Sequence, residues 1–408
     1  MCDPPSWSQA PVLCGENSWN ENQVAQGRSH MVLTPQQEQG ISDELITRAA
    51  VEFLQSNRTQ AGPWFLAVGV HRPHLPEVVP QRLVDLYPLE NITLPPLRTV
   101  PRNMPPIATA CSGNGGPCQP GYGSMEMWQQ YKFNSTHAQR SIPAWFGWDG
   151  SINTTMPADM AKTLRQFYYA GVSHTDELFG RLLAALDATG QRNKTIVAVL
   201  GDHGWHLDTK GLWCKCTNFE EAVAAPLILS VPGYPGGQQT DAITEHVDLA
   251  ATLVDAAGLP ALPTCPPAPA PQPDTCTEGV SLVPLLANNA SVVKKAAFSQ
   301  WPKWPAQQPD LMGYTIRTPT LRYTEWVKMN YTAAGAFVPD WSQLCAWELY
   351  DELHDPLESA NVAGDPAYAV SHKLMRARLH AGWRAAAGPG PWPDLPVQGP
   401  AQPNIPCF

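Results

Sequence analysis

The run Ile196-Val197-Ala198-Val199-Leu200 passes without a spacer into Gly201-Asp202-His203-Gly204-Trp205. Five consecutive apolar residues bounded by glycine read as a buried strand. Open α/β sheets hold their ligands at the carboxyl ends of their strands, and here a carboxylate and an imidazole occupy that end. Adjacent residues in a strand point to opposite faces, so Asp202 and His203 share one site only if the strand has ended at Gly201. Glycine on both sides lets the backbone turn sharply and come close to an ion or an oxyanion. Asp is a hard oxygen ligand suited to calcium, whereas His is more at home on zinc. Lys215 follows on the next loop, thirteen residues beyond Asp202. The pattern points to a metal-assisted hydrolase.

Neighbouring segments supply the rest of such a sheet. Trp64-Phe65-Leu66-Ala67-Val68-Gly69-Val70 reads as a second buried strand, leading into His71-Arg72-Pro73-His74. Those three potential cations, stiffened by Pro73, suit an anionic oxygen group; a capped loop with one packed histidine is the ordinary alternative. Ser42 is expected to cap a helix running to Leu54. Leu164, Phe167, Tyr168, Val172, Phe179, Leu182, Leu183 and Leu186 recur at helical spacing, with Gly190 as the stop. Pro226 to Val231 forms another apolar strand, with Pro226 where no ladder donor is needed, and 245–257 a helix ending at Gly258. Residues 1–41 read as irregular and 76–157 mostly as loop. The segment 259–274, dense in proline and alanine, is one that Cys265 and Cys276 could staple.

Strand–helix alternation predicts an α/β fold with a doubly wound, largely parallel sheet. Beyond about residue 292 the texture changes. Tyr314 to Arg317, Leu321 to Val327 and Trp347 to Tyr350 alternate as antiparallel strands, and a helix is expected near 366–386. The predicted organisation is a core over 1–292 and a smaller α+β subdomain over 293–408.

A net charge of -10 argues against a general nucleic-acid binder, although a few local cations still serve for an anionic substrate. No apolar run is long enough to span a membrane. Ten cysteines fall mostly in close pairs, Cys2/Cys14, Cys111/Cys118, Cys214/Cys216 and Cys265/Cys276, with Cys345 and Cys407 left over. Such pairs favour disulfides in an oxidising compartment; zinc would call for paired Cys-x-x-Cys spacings, which are absent. A Cys214–Cys216 bridge would be a tiny, strained loop, so partners elsewhere stay open. Seven N-glycosylation sequons, at Asn57, Asn91, Asn134, Asn153, Asn193, Asn289 and Asn330, agree with an extracellular or lysosomal lumen. Yet Met1-Cys2-Asp3-Pro4-Pro5 has neither the basic nor the apolar region of a signal peptide, so the start is expected to lie inside a longer protein.

Taken in order, these residues resemble the sulfatase family of the alkaline phosphatase superfamily. The resemblance runs through Phe65 to His74, Leu86 to Thr93, Gly180 to Leu186, Gly201 to Trp205, Met312 to Arg317, Glu348 to Tyr350 and Asp355 to Leu357. It implies hydrolysis of sulfate esters by a formylglycine beside a divalent ion, usually calcium, with a sulfated saccharide of glycosaminoglycan type as substrate. Asp202 and His203 match metal-site positions, and Lys215 the lysine on the sulfate and bridging oxygen. His74 matches the histidine that binds sulfate and protonates the leaving group, and Trp205 would wall the substrate pocket. A Cys265–Cys276 disulfide is also implied, and Cys2/Cys14 match a second.

The departures are specific. The family's paired acidic ligands, its formylglycine motif (Cys, any residue, Pro or Ala, any residue, Arg) and a further Lys and His do not occur. Cys2-Asp3-Pro4-Pro5-Ser6 comes nearest, with Ser6 in place of the arginine. The expectation is a sheet incomplete at its amino-terminal side, no nucleophile, part of the metal shell missing, and no activity for the chain alone. Two other readings stay open. One is a zinc phosphodiesterase-like hydrolase of the same superfamily, with His206, Asp208 and His246 as its reserve ligands. The other is a non-catalytic remnant that binds sulfated glycans.

Overall fold

The computed structural model describes residues 30–74, 77–109, 134–135, 138–139, 155–267, 270, 273, 275–303, 311–331 and 337–387. They belong to two compact units. The first comprises Met1–Pro96, Met125–Gly150 and Thr154–Thr195; the second comprises Leu97–Ser124, Ser151–Asn153 and Ile196–Phe408.

In the first unit, β1 (His30–Leu33) is followed by α1 (Pro35–Gly40) and α2 (Ser42–Gln55). β2 (Glu77–Pro80) runs parallel to β1, pairing Met31 with Val78, and α3 (Gln81–Val84) and α4 (Ala158–Ala188) complete the unit. Order thus begins before residue 41, earlier than expected, because a four-residue strand is too short to declare its period. Thr34 accepts from the Gln37 amide at 3.3 Å while the Gln37 side chain accepts from the Thr34 amide at 3.0 Å, a reciprocal cap that starts α1. Ser42 does not cap α2: Ile41 holds that position without a side-chain bond, and Ser42 is its first, buried residue. α4 forms as the periodicity predicts. Its Phe167 and Ala170 pack on Val79, Leu83 and Val84, and Gly190 with φ 68° follows its end.

Trp64 to Val70 departs from expectation. It has no regular secondary structure, its exposure alternates, and Phe65 is 76% exposed. The period-two chemistry of a strand is present, but burial comes from ladder neighbours, and none is among the described residues.

The second unit opens with β3 (Val197–Leu200), then a two-stranded hairpin of β4 (His206–Leu207) and β5 (Trp213–Cys214), the single turn α5 (Glu220–Val223) and β6 (Leu227–Ser230). β3 and β6 pair antiparallel, Val199 opposite Ile228. The intervening chain folds into a hairpin and one helical turn rather than a crossover helix, so it returns alongside β3 in the opposite sense. α6 (Asp248–Ala256) follows, with Gly258 beyond it at φ 67°. Cys265 and Cys276 are joined by a disulfide, as the resemblance implies.

An antiparallel sheet fills the carboxyl-terminal part: β7 (Ala297–Lys303), β8 (Leu311–Arg317), β9 (Leu321–Tyr331) and β10 (Phe337–Asp351), in the order β10-β9-β8-β7. The three expected strands lie within the last three of these; β7, with a proline inside it, gave no strand signal. α7 (Ala369–Ala387) covers one face, with Met375 and Leu379 in one core with Ile316, Tyr323, Val327 and Leu349. The architecture is α/β with a carboxyl-terminal α+β subdomain.

Cys214 and Cys216 are not disulfide-bonded, in keeping with the strain that so small a loop would carry. Cys345 is disulfide-bonded, while Cys2, Cys14, Cys111, Cys118 and Cys407 lie outside the described residues. Asn57, Asn91, Asn193, Asn289 and Asn330 are all exposed; the side chains of Asn134 and Asn153 lie outside the described set. Among the described residues, no helix is long and apolar enough to cross a membrane.

Candidate functional site

β3 ends at Leu200, and Gly201 donates the last rung of the pairing, to the Pro226 carbonyl at 3.0 Å. Asp202 and His203 therefore leave the pleat together, as a shared site requires. The Asp202 side chain is 85% exposed, and its Oδ2 stands 3.3 Å from His203 Nε2. His203 Nδ1 lies 2.8 Å from the Gly204 carbonyl. A carbonyl can only accept, which assigns the proton to Nδ1 and leaves Nε2 a bare lone pair. That Nε2 is buried and makes no hydrogen bond. A carboxylate oxygen beside an unused imidazole lone pair, the ring locked by its other nitrogen, is the donor set of a metal site. The residues present fit a divalent cation.

Gly204 cannot be otherwise: a Cβ there would lie 2.1 Å from the Glu221 carbonyl oxygen and 2.5 Å from that of Ala224. Its amide donates to the Ala222 carbonyl at 2.9 Å. α5 thus seats directly on the turn. Trp205 stacks near the His203 ring, centroids 6.1 Å apart and 25° between planes. Lys215 brings its Nζ 5.6 Å from the Trp205 ring centroid, within cation–π range. Asp202, His203, Trp205 and Lys215 are accordingly one chain of contacts.

The hairpin that returns Lys215 to this place is locally strained. Asp208, Lys210 and Cys214 all have positive φ, at 77°, 61° and 66°, a conformation that costs a non-glycine residue about 1–3 kcal/mol. Contacts from elsewhere in the unit hold it. Lys210 N donates to the Leu97 carbonyl at 2.8 Å, and Arg98 pairs with the buried Asp208. The Lys210 ammonium, fully buried, meets Glu221 at 2.6 Å and Glu358 at 3.1 Å, and Glu358 in turn bonds the buried Arg322 at 2.5 Å. Leu212 and Phe219 anchor the loop in a core with Trp326 and Tyr350. Burial pushes the nearby Lys303 ammonium down to about 7, against the pull of Cys216 and Glu348. Sequence reasoning missed Lys210, Glu221, Glu358 and Arg98. They are 11 to 148 residues apart from Lys210 along the chain, and no local pattern joins them.

Two reserve ligands are engaged elsewhere. His206 is fully buried, its Nε2 2.8 Å from Thr217 Oγ1, and burial, aided by Lys210, pushes its imidazole down to about 3. Asp208 is paired with Arg98, and His246 is exposed.

His74 belongs to the first unit. Its amide donates to the His71 carbonyl at 2.9 Å, closing the turn, and its ring lies 4.7 Å from that of His71. Thr175 on α4 donates to the Arg72 carbonyl at 3.1 Å, so the long helix carries this turn. Arg72 is not offered to an anion as the sequence suggested. It is buried, with Nη1 2.5 Å from Asp43 Oδ2 and Nε on the Val78 carbonyl at 2.8 Å. Asp43 also accepts from the amides of His71 and Arg72. An acid at the start of α2 thus claims the guanidinium to set the shape of the turn.

The sulfatase family profile matches residues 3–259, more than half of the chain. The chain belongs to the sulfatase family. A second profile, described as N-sulphoglucosamine sulphohydrolase, C-terminal, matches residues 201–383 of this chain. Iduronate 2-sulfatase of Homo sapiens is 34% identical over 373 residues, covering 80% of this chain and 62% of the human enzyme. The sulfatase chain thus spans less than two-thirds of that relative. Among solved structures, one determined with its substrate D-glucosamine-2-N,6-O-disulfate superposes with a TM-score of 0.60 at 23% identity, covering 84% of this chain and 69% of the other. A phosphonate monoester hydrolase of Agrobacterium radiobacter gives 0.59 at 22%, covering 84% and 60%. Both likenesses are of fold.

Proposed function

We propose that this chain carries the sulfate-binding side and half of the metal shell of a sulfate ester hydrolase acting on sulfated uronates of glycosaminoglycan type. The observation that carries this reading is the contact chain Asp202–His203–Trp205–Lys215, with the buried His203 Nε2 beside Asp202 Oδ2. Asp202 and His203 hold a divalent cation, calcium first; when bound, it offsets the charge of the sulfate oxygens. Lys215 gives a charge-assisted hydrogen bond to the sulfate and the bridging oxygen. Trp205 limits where the Lys215 ammonium can go and gives the sugar a flat wall. The family resemblance gives His74 the role of a sulfate ligand that, where a nucleophile is supplied, would protonate the leaving sugar oxygen.

None of the ten cysteines begins a Cys-x-Pro/Ala-x-Arg motif, so no residue of this chain fits as a formylglycine precursor and no nucleophilic step is assigned. The chain by itself binds substrate without turning it over. Exposed sequons at Asn57, Asn91, Asn193, Asn289 and Asn330 and the Cys265–Cys276 bridge support a glycosylated protein of the extracellular space or lysosomal lumen.

The test is calorimetric titration of the purified chain with a sulfated iduronate disaccharide in calcium, beside a fluorogenic turnover assay. The expected result is binding that Lys215→Ala abolishes, without turnover. Turnover above background would overturn the inactivity, and undiminished binding by Lys215→Ala would overturn the site.

A further inference from the structure

A second group of side chains, none of them used above, has the make-up of another metal centre. Glu38 on α1, Glu44 on α2 and His174 on α4 converge so that one ligand atom from each lies within 4.8 Å of the other two. All three belong to the first unit, whereas Asp202 and His203 belong to the second.

His174 is the informative member. It is fully buried, and neither ring nitrogen makes a hydrogen bond. Its Nε2 points between the two acids, 3.4 Å from Glu44 Oε1 and 3.9 Å from Glu38 Oε1. Neither contact is formed as a hydrogen bond, although Glu44 is close enough for one. A buried imidazole with no hydrogen bond is costly, and a cation between it and the two carboxylates would satisfy Nε2 and both acids at once.

The two acids are already oriented for such a cation. Arg181 Nη1 bonds Glu44 Oε2 at 2.7 Å, which turns Oε1 of the same carboxylate toward His174. Arg82 bonds Glu38 at 2.7 Å and Glu177 at 2.5 Å. Arg181 thus holds Glu44 from behind, as partners of metal ligands do, whereas Arg82 shares with His174 the Oε1 side of Glu38. Counting Glu177, three carboxylates face two guanidiniums, and a cation among them would complete the charge.

We propose that Glu38, Glu44 and His174 bind a divalent cation of the zinc class, tying α1 and α2 to α4. One imidazole with two carboxylates suits zinc, which takes three protein ligands and leaves a fourth position open. The ion fastens three helices of one unit, with water at its fourth position, and the site stands or falls independently of the sulfate site.

The experiment uses the full chain stripped with a chelator and then dialysed free of it, in an Asp202→Asn/His203→Asn background so that the other candidate metal position is silent. Zinc is titrated by calorimetry, cobalt by visible absorption, and melting is followed with and without zinc. The expected result is one equivalent bound, a cobalt spectrum of a nitrogen–oxygen site, and a melting temperature raised by zinc. Glu44→Gln, nearly isosteric, and His174→Gln should each weaken zinc binding by more than about tenfold while the metal-free proteins still melt cooperatively. A background protein that binds no zinc, or Glu44→Gln and His174→Gln variants that bind it undiminished, would overturn the proposal. In the first case the cluster would be an ion pair of protonated His174 instead.

Discussion

Lys215 holds its Nζ 5.6 Å from the centre of the Trp205 ring. The indole and the ammonium thereby fix each other, since a cation over a ring face loses much of its freedom to follow the solvent. Trp205→Ala is expected to weaken binding of a sulfated disaccharide by a few fold, equivalent to about 0.5–1 kcal/mol, and Trp205→Phe by less. Isothermal titration of the three proteins checks this. Equal affinities would mean that Lys215 reaches the sulfate without help from the ring.

Lys210 sits one loop away and has the opposite character, being sealed in with Glu221 and Glu358. Lys210→Met leaves Glu358 buried with one cation fewer. Breaking a buried pair by removing one partner costs about 3–5 kcal/mol, and a loss of that order is expected in urea unfolding. A change below about 1 kcal/mol would show that Arg322 alone suffices for Glu358.

His206 makes the second unit sensitive to acid. Its imidazole titrates at about 3 in the folded chain, pushed down from 6.5 by burial and Lys210. The unfolded chain therefore takes up this proton first. The contribution is fully present above pH 6.5 and is lost as pH falls from there towards 3, by up to about 1.4 kcal/mol per pH unit. His206→Gln keeps a partner for Thr217 but cannot be protonated. Urea midpoints at pH 7.5 and pH 4.5 should lie closer together in that variant than in the parent, and equal spacing would refute the assignment.

Periodicity revealed α4, β6 and three of the four strands of the carboxyl-terminal sheet, because each is long or apolar enough to carry its own signal. It did not reveal β1, a four-residue strand ordered by its pairing with β2, nor β7. Trp64 to Val70 shows the reverse failure: a continuous apolar run reads as a buried strand, but burial depends on neighbours that sequence does not supply. At the site, Asp202, His203, Trp205 and Lys215 were legible because they lie within one short stretch. Arg72 misled for a related reason. A lone guanidinium looks available until Asp43, 29 residues earlier, is seen to hold it. The supporting Lys210–Glu221–Glu358 group was invisible because its members meet only after folding.

Asp208, Lys210 and Cys214, with their positive φ angles, have a further consequence. An isolated peptide spanning this hairpin would relax to ordinary backbone angles, because Leu97 and Arg98 would not be there to hold it. Lys215 would then drift from Trp205. The Lys215–Trp205 contact is thus a property of the assembled unit. The stretch from Asp202 to Lys215 is no portable cassette, and grafting it onto another scaffold would carry over the letters without the grip.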